Sequence, residues 1–369
     1  MARLPLPGPR AAVAVAAAAL FVRHAVGRKV ERSPLWPLPA LDVPISGRDR
    51  RAPTAGLRVR VAERREVADG VVQLRLTGEE LPAWEPGAHL DLVLPSGAVR
   101  PYSLCGDPAD RGAYTIATRL VADGRGGSRE VHEQVRAGTE IEVRGPRNRF
   151  PLVEAAAYVF VAGGIGITPI LPMLHAVQAA GKPWRLVYGG RSLASMPFVP
   201  EVLRLGGPER VSVVPEDTDG LPDLAGALAG APAGAAVYCC GPGGLMDAVA
   251  AACATDPPGG GLHLERFTPG PGRPAEQPAR PERAFTVELR RTGRTVTVPP
   301  GTTVLAALRA QGLPDLAYSC TQGFCGTCVQ RVVAGDVDHR DALLTDAERT
   351  DRMLVCVSRA YGDRIVLDL

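Results

Sequence analysis

The stretch CTQGFCGTC, Cys320–Cys328, places three cysteines in a nine-residue loop of a 369-residue chain that holds only eight. Cys320, Cys325 and Cys328 are spaced C-x4-C-x2-C, and Cys356 follows after a longer interval. The remaining cysteines are Cys105, Cys239, Cys240 and Cys253. With 46% apolar residues the chain can bury cores without covalent staples, so the pattern does not read as a secreted disulfide framework. A reduced, cytoplasmic setting is expected, with Cys105, Cys239 and Cys253 as ordinary buried thiols.

The spacing C-x4-C-x2-C with a distant fourth cysteine is the one plant-type [2Fe–2S] sites use. One tight loop presents three thiolates while wrapping the cluster, and a second segment closes the far side. Gly323 and Gly326 suit such a loop, because without Cβ atoms they let backbone N–H groups approach the sulfurs. Tetrahedral zinc is the alternative, but structural zinc sites favour paired C-x2-C knuckles.

Around the loop, FTVELRRTGRTVTVPPG (285–301) alternates apolar and polar residues on either side of a Thr-Gly pair and reads as a β-hairpin. TTVLAALRAQG (302–312) offers a threonine cap, helical apolar spacing and a closing glycine. CVQRVVAG and RIVLDL read as returning strands. Hairpin, helix, cluster loop and strands resemble the β-grasp ferredoxin fold over 284–369.

Upstream, TPGPGRPAEQPARPER (268–283) has the proline, glycine and charge of a linker. Residues 57–153 read as short alternating strands with frequent turn signals, the pattern of a small antiparallel β-barrel. From 154 to 267 the pattern becomes buried strand, glycine turn and helix, an α/β nucleotide-binding layout. It is carried by AYVFVAGGIGITPILPMLHAVQAAG, WRLVYGGRS and AAVYCCGPGGLMDAVAAAC.

Within the barrel, RPYSL (100–104) resembles the flavin-binding R-x-Y-S motif of the ferredoxin reductase superfamily, and GRGGS (124–128) follows it at the family's distance. The resemblance implies that Arg100 meets the phosphate or flavin edge, that Tyr102 packs beside the isoalloxazine, and that Ser103 bonds near N5. It likewise gives Arg125, Gly126, Gly127 and Ser128 to the phosphate, and Ala117, Thr118 and Arg119 to the ring's other edge. Gly163, Gly164 and Gly166 of AGGIGITP form a turn at a helix N-terminus, where free N–H groups and the dipole favour a pyrophosphate. Through the same resemblance Thr168 and Pro169 face flavin and nicotinamide, and Cys240, Gly241 and Pro242 of CGPGGLM lie near the nicotinamide. Phe267, ending LERF, covers the flavin face, and Arg191 and Ser192 lie where a 2′-phosphate would be met. No side chain is required as a general base.

Taken together the chain resembles the phthalate dioxygenase reductase and vanillate demethylase reductase family over about 57–369. The fold class expected is multidomain: a flavin-binding antiparallel β-barrel, an α/β NAD-binding domain and a C-terminal α+β β-grasp [2Fe–2S] ferredoxin domain. The resemblance implies an NADH-dependent reductase passing electrons through flavin and [2Fe–2S] to a separate Rieske-type oxygenase or demethylase. FMN is expected over FAD and NADH over NADPH. A cytochrome P450 is the alternative acceptor, and a redox-sensing electron carrier the alternative outside enzymes. A monomer is expected.

Residues 1–56 depart from the family, whose members have a short N-terminus. AAVAVAAAALFV (11–22) is too short to span a bilayer, though it imitates a signal-peptide core. Residues 1–65 carry 13 Lys or Arg against 4 Asp or Glu, an excess suited to weak contact with an anionic membrane surface or an acidic partner. A terminal arm without a specific role is the plainer reading. No nucleic-acid module stands behind the charge.

Overall fold

The computed structural model describes residues 56–268, 282–313 and 316–369. Six antiparallel strands open the described chain: β1 (Leu57–Ala68), β2 (Val71–Thr77), β3 (Ala88–Val93), β4 (Val99–Ser103), β5 (Ala113–Arg119) and β6 (Glu140–Asn148). They run in the order β4-β3-β6-β1-β2-β5, and a bridge between Leu104 and Ile116 joins the two outer strands. The sheet thus curls into a barrel without a long free edge. Alternate residues point inward, so Leu74, Leu76, Leu90, Leu92, Ile116 and Val143 fill the interior. The helix Gly127–Gln134 lays Val131 into the same core.

The second sheet is parallel: β7 (Ala157–Gly163), β8 (Trp184–Gly190), β9 (Val211–Pro215), β10 (Ala235–Cys240) and β11 (Leu262–Glu265), ordered β11-β10-β7-β8-β9. Every residue of β7 and β10 is buried, which explains why these strands read as unbroken apolar runs rather than alternations. Tyr158 and Phe160 pack with the helix Ile167–Ala179 on one face, while Val159 and Val161 pack with the helix Gly243–Thr255 on the other. The chain builds outward from β7 to β9 and returns on the opposite side at β10. The strand order therefore reverses between β7 and β10, and the crevice beyond their carboxyl ends is where such sheets bind ligands. Val71, Cys105, Ala117 and Phe150 of the barrel segment share a core with this sheet, so the two are packed as one body.

The third sheet contains β12 (Phe285–Leu289), β13 (Arg294–Val298), β14 (Val329–Ala334), β16 (Arg352–Leu354) and β18 (Arg364–Leu367), ordered β13-β12-β18-β14-β16; β15 (Val337–Asp338) pairs with β17 (Arg359–Ala360) beside it. The expected hairpin is β12–β13, turning at Gly293. The expected helix is Val304–Ala310, where the Thr303 hydroxyl accepts the Ala306 N–H at 3.1 Å. Most of the expected linker lies outside the described residues. Its last two residues are tied down: Glu282 accepts the Gly301 N–H at 2.7 Å, and the Arg283 carbonyl accepts from the buried Arg359 guanidinium at 3.0 Å. The expected N-terminal arm also lies outside the described residues. Among the described residues no helix is long and apolar enough to cross a membrane.

Candidate functional site

The crevice is built by close backbone approach. A Cβ on Gly166 would sit 2.2 Å from the Cys240 carbonyl oxygen, so only glycine lets the turn after β7 lie against the turn after β10. Gly163 meets Gly241 and Pro242 at the same crossing. Tyr188 of β8 pins this turn, its phenol donating to the Gly164 carbonyl at 3.1 Å and the Pro197 carbonyl at 2.9 Å. Thr168, buried in the first helical turn beside Pro169, donates to the Ile165 carbonyl at 2.9 Å. The structure thus gathers Gly163, Gly164, Gly166, Thr168, Pro169, Cys240, Gly241 and Pro242. Arg191 and Ser192 lie at the end of β8, where Ser192 closes a capping box with Ser195 and Arg191 accepts the Asp217 N–H through its carbonyl.

The barrel faces this crevice with β4 and β5. The Arg119 guanidinium reaches the Gly164 turn, and the Ser103 hydroxyl donates to the Glu265 carboxylate at 3.3 Å. Glu265 carries no expectation from the sequence, where LERF marks only its aromatic. The parallel register sets Glu265 opposite Cys240, an arrangement that only the strand order reveals. Desolvation pushes the Glu265 pKa up to about 8 against the lowering effect of Ser103. Burial and then Glu265 itself hold the Cys240 thiol well above its usual range. Phe267 follows, packed against the shared core.

Arg100 lies against Gly127, whose missing Cβ leaves room for the guanidinium stem, and its Nη2 donates to the Arg125 carbonyl at 3.5 Å. Gly126, with φ +82°, is the N-cap of the helix that follows. Ser128 accepts the Val121 N–H at 3.0 Å, which leaves its own proton free to donate. Tyr102 is desolvated, its pKa pushed up to about 12. His89 Nε2 in β3, opposite Ser103, is buried without a hydrogen-bond partner. The missing Cβ at Gly127, which gives Arg100 room beside the helix start, fits a phosphate-bearing ligand.

Cys320, Cys325, Cys328 and Cys356 are all buried and converge. The Cys320 thiol neighbours those of Cys325 and Cys356, and the Cys356 thiol neighbours that of Cys328. These contacts draw Cys320 toward thiolate and push Cys325 and Cys356 up, since adjacent thiolates cannot all ionise without cations among them. Among the described residues no three His, Cys, Asp or Glu are grouped to hold a single ion. It is the spacing of the four buried cysteines, three in one loop and a distant fourth, that suits a [2Fe–2S] cluster. The Gln322 N–H donates to Cys320 Sγ at 3.3 Å, the backbone support the loop was expected to give.

A flavin-type barrel, a parallel nucleotide sheet and a four-cysteine ferredoxin module joined in one chain define the class of modular flavin and iron–sulfur reductases. Residues 287–361 match the family described as the 2Fe-2S iron-sulfur cluster binding domain. The chain is 39% identical over 322 residues to the phthalate 4,5-dioxygenase oxygenase reductase subunit of Pseudomonas putida, an alignment spanning 84% of this chain and 96% of the relative. The solved structure of phthalate dioxygenase reductase, described as modular for electron transfer from pyridine nucleotides to [2Fe–2S], superposes with TM-score 0.63 at 35% identity, covering 85% of this chain and 98% of that one. An intact self-sufficient cytochrome P450 monooxygenase superposes with TM-score 0.75 at 40% identity; the match covers 85% of this chain and 41% of the larger one. The chain belongs to the phthalate dioxygenase reductase family.

Proposed function

We propose that this chain takes hydride from NADH and delivers single electrons through flavin and [2Fe–2S] to a separate Rieske-type oxygenase or demethylase. The observation that carries the reading is continuity: Ser103 joins the barrel to the nucleotide sheet at Glu265, and Arg125 joins the same barrel to the cluster loop at Cys320. In the proposed site Arg100, Gly126, Gly127 and Ser128 hold the flavin phosphate, while Tyr102, Ser103, Ala117, Thr118 and Arg119 line the ring. Gly163, Gly164 and Gly166 receive the pyrophosphate; Thr168, Cys240 and Phe267 border the meeting place of the two rings. Cys320, Cys325, Cys328 and Cys356 hold the cluster. Bound flavin would supply the exchange of one two-electron delivery for two one-electron departures. The protein excludes water from that junction and holds a proton at Glu265, hydrogen-bonded to Ser103.

FMN is favoured because GRGGS resembles the mononucleotide-binding relatives. NADH is favoured by Glu216, Asp217 and Asp219, an exposed acidic turn whose Asp217 N–H bonds to Arg191 and which would repel a 2′-phosphate. A cytochrome P450 is the second reading of the acceptor, prompted by the monooxygenase structure that shares this module. The chain acts as a cytoplasmic monomer in this reading, with any membrane contact confined to its basic N-terminal segment.

Reconstitution decides among these. Purified protein should oxidise NADH with ferricyanide, release FMN on heating, and turn over a Rieske-type oxygenase. FAD in the eluate, or a higher kcat/KM for NADPH, overturns those assignments. Turnover of a P450 alone overturns the acceptor, and failure to oxidise either nicotinamide overturns the reductase reading in favour of a redox sensor.

A further inference from the structure

Thr321 follows the first cluster cysteine with φ +54°, a left-handed conformation that a β-branched residue rarely adopts. Such a residue persists only where its surroundings over-determine it. Two contacts hold it. Its own hydroxyl donates to the Cys320 carbonyl at 2.7 Å, and Arg125, from the glycine-rich turn of the barrel, closes over the pair. Arg125 Nη2 donates to the Cys320 carbonyl at 2.8 Å and Nη1 to the Thr321 hydroxyl at 3.1 Å. The guanidinium was expected on the flavin phosphate; its fork is instead engaged by the ferredoxin loop. At the other end of the loop a Cβ on Gly326 would lie 3.1 Å from Arg149 Nε, so a second barrel arginine passes directly over the backbone there. Arg149 also pairs loosely with Glu348 at 3.9 Å, an exposed contact worth little by itself.

We infer that Arg125 is a positioning residue: by gripping the Cys320 carbonyl and the Thr321 hydroxyl together, it docks the ferredoxin module on the flavin side and fixes the loop conformation that presents Cys320. Arg149 steadies the opposite end. Two properties follow. The docking distance, and hence the frequency of flavin-to-cluster transfer, depends on one side chain outside the cluster domain. The fixed positive charge beside a ligand carbonyl favours the reduced cluster and raises its potential.

The inference rests on the electron route proposed above, and its test uses the holoprotein with three readouts: the rate of cluster reduction after mixing with NADH, the cluster potential from an EPR titration, and the radius of gyration from solution scattering. Arg125→Ala should slow cluster reduction at least about tenfold, since displacements near 1 Å are costly to oriented transfer. It should also lower the potential and enlarge the particle. Arg125→Lys should keep the potential near wild type but recover the rate only in part, because an ammonium cannot bridge two acceptors as a fork does. Adding Thr321→Gly to Arg125→Ala should restore part of the transfer rate but none of the potential, glycine adopting the positive φ without being held while the charge stays absent. Arg149→Ala should slow cluster reduction while flavin reduction keeps its rate. If Arg125→Ala does not fold, Arg125→Lys carries the test. Wild-type rate, potential and scattering in the folded Arg125 variants overturn the inference. If the wild-type cluster never accepts electrons from NADH, the route itself fails, whereas scattering and potential still report the docking.

Discussion

Glu265 shows how one carboxyl can couple a site to pH. Its pKa stands near 8 in the fold and at about 4.5 when unfolded, so between those values the folded chain binds the extra proton. Stability contributed by this group is therefore greatest below about pH 4.5 and is lost as pH rises through 8. Glu265→Gln should flatten the fall in Tm between pH 5 and 8 relative to wild type; parallel Tm curves for the two proteins would contradict the assignment. The same substitution should alter the pH profile of hydride transfer while leaving flavin content unchanged. Cys325 gives the matching test for the cluster. Cys325→Ser removes one thiolate from the four and should cost the broad visible absorption and the reduced-cluster EPR signal, with flavin bands intact. Unchanged iron content would reject the ligand set.

At the level of elements, the crossing of the turns after β7 and β10 is the tightest feature of the nucleotide half. The φ of Gly166 is ordinary, at −62°, so Gly166→Ala isolates sterics from backbone freedom. The added methyl collides with backbone rather than with a movable side chain, and overpacking of that kind costs about 1–3 kcal/mol. We expect a lower Tm and a raised KM for NADH, with heat-released flavin at wild-type yield. An unchanged KM would place the nicotinamide elsewhere. The sequence revealed these elements to different degrees. The strands β7 and β10, the hairpin β12–β13 and the cluster loop were legible because burial on two faces, period-two alternation and ligand spacing are local properties. The bonds Ser103 to Glu265 and Arg125 to Cys320 were not, because they join residues far apart in the chain through a strand order that periodicity does not encode. Even so, Arg125 and Ser103 belong to motifs, GRGGS and RPYSL, that the sequence alone marks. Glu265 lies within LERF and Arg149 within PRNRFPL, strings whose resemblance gives neither residue a role.

For the whole molecule, the relevant division is between the barrel with its nucleotide sheet, which share a core, and the ferredoxin module, which meets them at a few polar contacts. A chain stopped after Thr268 should keep the first two sheets folded and still oxidise NADH with ferricyanide, while failing to drive the oxygenase and reducing cytochrome c only slowly. Supplying residues 282–369 separately should restore little, because covalent attachment provides an effective concentration on the order of millimolar. Full oxygenase turnover by the shortened chain would remove the cluster from the route.

The position of β18 has a consequence for how the protein is made. It lies between β12 and β14, yet it follows every other strand of that sheet in sequence. The sheet has no centre until β18 has left the ribosome, whereas the barrel and the nucleotide sheet are complete at Glu265. At translation speeds of about 5–20 residues per second the first two sheets have a lead of roughly 5 to 20 s. The cysteines must meanwhile wait, unclosed, on a nascent chain. All four cluster cysteines are therefore available only after the barrel and the nucleotide sheet have been synthesised.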